Sequence, residues 1–158
     1  MRPTEMVEIG AVMRFLDFYK VPYSKDQIKL GAQDDSVDVY VESKNLKFQV
    51  TTVKGEMIRL IKDKIYSDGT NADQAINKYI INPISKKYLK YMGQSVDDVT
   101  LLIHCIILPS LNWLESSDKQ EKDSIENTYQ KSGFKDIYLI EEISNKVFCL
   151  FPKKIRNK

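Results

Sequence analysis

Two hydrophobic periods alternate along the chain. Met6, Ile9, Met13 and Leu16 recur at helical spacing, and Val12 and Phe15 widen that stripe. Thr4 can cap this helix, with Glu5 and Glu8 in its first two turns. Pro22 disfavours helical geometry at Val21, so the helix is expected to end near Lys20. Residues 27–32 read as a weak first strand. The period then becomes two. Val37, Val39 and Val41 share one face and Asp38, Tyr40 and Glu42 the other, and then Leu46, Phe48 and Val50 face away from Lys47, Gln49 and Thr51. Ser43, Lys44 and Asn45 form the hairpin-type connection, which sets Asp38 and Gln49 on one face of a two-stranded ribbon.

Helical spacing returns over 55–66 through Met57, Leu60, Ile61 and Ile65, followed by turn chemistry at 67–71 and a helical piece over 72–81. Asn82-Pro83 suits either a fresh helix start or a kinked continuous helix, running to about Met92 and stopping at Gly93. Residues 99–108 are almost unbroken apolar, the mark of a strand covered on both faces, and Pro109 ends it. Ser117 caps a last helix with Gln120 three residues on, ending by Gly133. Strands at 137–142 and 146–151 close the pattern around Ser144-Asn145. The segment between Val53 and Val99 is long enough for a right-handed crossover to a parallel strand. The order therefore predicts an α/β fold: a mixed central β-sheet flanked by helices, as one domain over 1–152, with a basic tail at 153–158.

Composition changes this picture little. Apolar residues are 42% and charged residues 29% of the 158, with a net charge of +2. That balance is ordinary for a globular domain, and the charge alone does not call for a polyanionic partner. No apolar run approaches the roughly 18 residues of a membrane helix, and the N-terminus lacks a signal-peptide core. Cys105 and Cys149 sit in apolar runs and read as buried thiols, and two Cys with one His cannot build a zinc site. A cytoplasmic location without membrane attachment is expected.

The element order, an Asp opening the second strand and a polar-x-polar triplet on the third together resemble the restriction-endonuclease-like fold, the PD-(D/E)xK nuclease superfamily. The resemblance covers residues 5 to about 108, an αβββαβ core, and leaves the C-terminal helix and hairpin peripheral. Asp38 matches the motif's Asp, Gln49-Val50-Thr51 its (D/E)-x-K triplet, and Glu8 the acidic residue that many members carry on the first helix. It implies a metal-dependent endonuclease, or nuclease-like DNA-processing protein, that hydrolyses phosphodiester bonds. Mg²⁺ would be held by Asp38, the Gln49 amide and the Val50 carbonyl, with Glu8 assisting. Thr51 replaces the lysine, so Lys47 and Lys78 are candidates for the missing positive charge. DNA would be the partner, and a homodimer fits the superfamily's habit. The alternative is a catalytically degenerate member that binds nucleic acid or protein.

The same residues have plainer readings. Asp38, Gln49 and Thr51 also suit the wet face of an ordinary hairpin. Asp34 and Asp35 suit a turn, and His104 a satisfied core histidine. Lys86-Lys87-Tyr88-Leu89-Lys90-Tyr91 reads as a solvated helix face with buried tyrosines, and Trp113 as packing against the last helix.

Overall fold

The computed structural model describes residues 2–32, 35–53, 77–105 and 119–152, apart from the side chains of Lys78 and Glu121. The helix expected at 55–66, the turn at 67–71, Asp34, Trp113, the Ser117 cap and the tail at 153–158 lie outside these residues.

Helix α1 spans Pro3–Phe18. Its cap is Arg2 rather than Thr4: the Arg2 backbone N–H donates to Glu5 Oε1 at 2.8 Å, and Pro3 takes the first helical position, where a missing N–H costs nothing. Strands β1 (Ile28–Leu30), β2 (Val39–Val41) and β3 (Leu46–Val53) form an antiparallel meander. A short 3₁₀ turn at Glu42–Lys44 and left-handed Asn45, at φ 52°, make the β2–β3 connection.

A π-helical turn at Asn77–Ile81 runs directly into α2, Asn82–Lys90. Ile81 already has helical angles, so the kinked continuous helix is the form adopted, and Asn82 is not a cap. Strand β4 (Thr100–Cys105) is buried throughout; α3 (Lys119–Ser132), β5 (Asp136–Glu141) and β6 (Lys146–Phe151) follow.

The strands form a six-stranded sheet in the order β1-β2-β3-β4-β5-β6. β4 lies parallel to β3 and β5, and β6 returns antiparallel. The mixed α/β sheet read from the sequence is therefore present. One face carries α1, through Ala11, Val12 and Leu16 against Val39, Val41, Phe48, Val50, Leu102 and Ile140. The other carries α2 and α3, through Ile84 and Ile125 against Val53, Leu101, Ile103 and Leu139. Val37 corrects the expected alternation: it packs in the α2–α3 cluster, away from Val39 and Val41, because β2 begins only at Val39.

Candidate functional site: a carboxyl pair beside a half-buried lysine

The helical stripe Ala11, Val12 and Leu16 continues N-terminally to Glu8, one turn before Val12. There α1 runs past the core, and Glu8 is half-buried against Asp38, to whose side chain it is hydrogen-bonded.

Asp38 stands one step beyond the Val39–Phe48 pair, at the start of β2. Its backbone N–H donates to the Phe48 carbonyl at 2.8 Å, and its carbonyl accepts from Gly31 N–H, also at 2.8 Å. Its Oδ2 accepts from the Val50 backbone N–H at 2.9 Å. The carboxylate is thus fixed by β3 itself. A Cβ at Gly31 would sit 1.8 Å from the Val37 carbonyl oxygen, so the close approach of β1 to the segment before β2 requires glycine.

The third member is Lys87 of α2. Its charge acts on both Glu8 and Asp38, and it lies 5.9 Å from the centre of the Tyr91 ring. Burial holds the Lys87 ammonium below its ordinary range, against the pull of Asp38. Burial also raises both carboxyls. Glu8 is pushed up to about 7 by burial and then by the Asp38 charge. At Asp38 the Val50 N–H bond and the Lys87 and Lys90 charges oppose the rise.

Gln49 is not on a wet face. It is fully buried, its amide nitrogen donating to the Ser36 carbonyl at 2.8 Å and to the Tyr91 hydroxyl at 3.4 Å. Its Oε1 has no hydrogen-bond partner among the described residues. Gln49 is therefore a strut beneath the segment that precedes Asp38, with one oxygen to spare. Asp35 braces the same segment, accepting from Val37 N–H at 3.2 Å and Tyr40 O–H at 2.7 Å.

The remaining candidates divide. Thr51 is half-buried on β3 opposite Ile103. Lys47 is bound to Asp98 at 2.6 Å. Lys78 falls in the π-helical turn, and its side chain lies outside the described residues. Val50 contributes its N–H to Asp38.

Lys87 escaped the reading of its run as a solvated face. The signal was present: Lys87 lies three residues after buried Ile84 and four before buried Tyr91, on the inward face of α2. His104 also differs from the satisfied core histidine expected. It is 4% exposed, yet neither ring nitrogen has a hydrogen-bond partner among the described residues.

No protein-family model matches the chain, and no curated protein is significantly similar to it. Among solved structures, it is similar to a protein of unknown function from Pseudomonas aeruginosa strain PAO1, described as of the monooxygenase superfamily. Identity is 14% and the TM-score 0.48, over 89% of this chain and 69% of that one. A likeness this low carries none of that protein's chemistry over.

The PD-(D/E)xK assignment is corrected: no comparison returns a nuclease, and Val50 meets Asp38 through its N–H rather than offering a carbonyl beside it. With the assignment go the endonuclease activity, the DNA-processing role and the degenerate nucleic-acid-binding alternative. The triplet also departs from the geometry that the resemblance implied, because Gln49 spends its amide on Ser36 and Tyr91. No described helix is long and apolar enough to cross a membrane.

Proposed function

We propose that Glu8, Asp38 and Lys87 form a general acid–base site. The observation that carries this reading is the grouping itself: Glu8 lies against Asp38, Asp38 Oδ2 accepts from the Val50 N–H at 2.9 Å, and the Lys87 charge acts on both carboxyls. Burial raises both carboxyls, Glu8 to about 7, and a pKa near the working pH suits a proton carrier. Glu8 is the proton carrier, the Asp38 charge raises its affinity further than burial alone, and Lys87 stabilises negative charge that develops on the substrate.

The test is a carboxyl ¹³C NMR titration of the Asp- and Glu-labelled protein. Glu8 is expected to titrate near 7, and to fall only part of the way toward its ordinary 4.5 in Asp38→Asn, because burial, the larger cause, remains. An ordinary Glu8 titration in the wild-type protein refutes the proposal.

A second reading rests on the spare Gln49 Oε1. Asp38, Glu8 and that amide oxygen are ligands of the kind Mg²⁺ takes, although no described cluster gathers three or more acidic, His or Cys side chains. Mg²⁺ would have to displace the Glu8 proton. Calorimetry in two buffers of different ionisation enthalpy would show about one proton released per ion near pH 6.5, as metal–proton linkage requires. No binding heat at millimolar Mg²⁺ removes this reading and leaves the acid–base one standing.

A further inference from the structure

A second polar cluster lies on the α1 face of the sheet, away from the carboxyl pair. His104 points to that face, since Leu102 two residues earlier packs with α1 and Ile103 and Cys105 pack with α2 and α3. Its neighbours across the sheet are Thr52 of β3 and Ile140 of β5, both uncharged. Above it Arg14 of α1 reaches the β5–β6 turn. Arg14 Nη2 is 2.9 Å from Glu142 Oε1, and its Nε donates to Asn145 Oδ1 at 3.3 Å. These two contacts tie the middle of α1 to the far edge of the sheet.

Among the described residues, the charges that act on His104 are Glu142, which favours the imidazolium, and Arg14, which opposes it. An enclosed imidazole with both nitrogens unpartnered tolerates neutrality better than charge. Once protonated it needs an anion: Glu142 follows Ile140, the residue paired with His104, by two positions, and its N–H donates to the Cys105 carbonyl at 2.9 Å, which puts it beside the end of β4 on the His104 side.

We propose that Arg14, Glu142 and His104 form an acid-released latch on α1. In the closed state Glu142 pairs with Arg14 and His104 is neutral. When His104 takes a proton, Glu142 turns from the guanidinium to the imidazolium, and α1 loses its ionic tie to the β5–β6 turn. Because α1 also carries Glu8, release of the latch loosens the helix that presents the carboxyl pair.

The test is hydrogen–deuterium exchange of the α1 amides, corrected for the intrinsic pH dependence of exchange, between pH 7.5 and 5. It is made in Glu8→Gln, which removes the titration of Glu8, so that this latch and the acid–base reading fail separately. Protection of α1 is expected to fall with pH, at most about tenfold per pH unit for one proton. In Glu8→Gln/His104→Leu the fall disappears. In Glu8→Gln/Glu142→Gln protection is already low at pH 7.5 and changes little on acidification. A merely structural histidine would loosen α1 at every pH in the Leu variant and leave the slope intact; that result overturns the latch, as does a flat profile with His104 present. Should the Leu variant not fold, His104→Gln supplies the same comparison with a neutral polar side chain.

Discussion

At the scale of single residues, Gly31 holds the candidate site in place without touching its chemistry. Adding a methyl group there drives it into the Val37 carbonyl oxygen, a backbone atom that cannot swing aside. Gly31→Ala is expected to cost at least about 1–3 kcal/mol, the usual range for overpacking, in urea unfolding. It should also weaken the bond from Gly31 N–H that holds the Asp38 carbonyl. An unchanged unfolding midpoint would mean that β1 can shift freely. Helical spacing through Met6, Ile9, Met13 and Leu16 missed Glu8: Met6 is 61% exposed, and it is the buried stripe of Ala11, Val12 and Leu16 that continues to Glu8. The period-two pattern of 37–42 and 46–53 was enough to place Asp38 beside Gln49. That pattern assigns a face, however, and not what covers the face. Gln49 was legible as polar and out of line with Phe48, but not as fully buried, because its cover is α2, distant in the sequence. His104 was legible as buried. Its two unpartnered nitrogens depend on which side chains arrive from α1 and the β5–β6 turn, and a strand pattern carries no such information.

At the scale of elements, the agreement is closest where side-chain period and turn chemistry coincide. Both apply to β3 and β6, which have the bounds expected from the sequence. Asn45 shows why: its left-handed conformation suits the short amide side chain and closes the β2–β3 connection. Asn45→Val is expected to destabilise the fold by about 1–2 kcal/mol, and Asn45→Gly by much less, when thermal midpoints are compared. Equal effects of the two would show that the turn does not depend on that backbone conformation. Agreement is poorest at helix starts, where several residue types compete. Thr4 and Asn82 both resemble caps, but Arg2 with Glu5 begins α1, and the π-helical turn carries the backbone through Asn82. Local capping preferences of about 1 kcal/mol yield to the packing of Tyr79, Ile80, Pro83 and Ile84 under the sheet.

For the molecule as a whole, the two polar clusters pull stability in opposite directions with pH. Glu8 has a folded-state affinity raised from 4.5 to about 7, so the folded state holds more protons in that window. Its contribution is full below 4.5 and is lost as pH rises toward 7. His104 is lowered from 6.5, so the unfolded chain binds the extra proton; its contribution is full above that value and is lost as pH falls below it. The Tm difference between Glu8→Gln and wild type should therefore grow from pH 5 to pH 8, and His104→Leu should flatten the acid limb alone. Parallel curves for all three proteins would show that neither group is coupled to folding.

The sheet order has a consequence for how the protein is made. Strands lie side by side in the order in which they leave the ribosome, so each finds its neighbour already present. The meander of β1 to β3, which contains the Asp38 carboxylate and the Val50 N–H that anchors it, is complete before β4 is synthesised. A nascent chain stalled after β3 thus has the Asp38 anchor within reach while one long edge of β3 is still unpaired, and that edge is the surface a chaperone would have to shield.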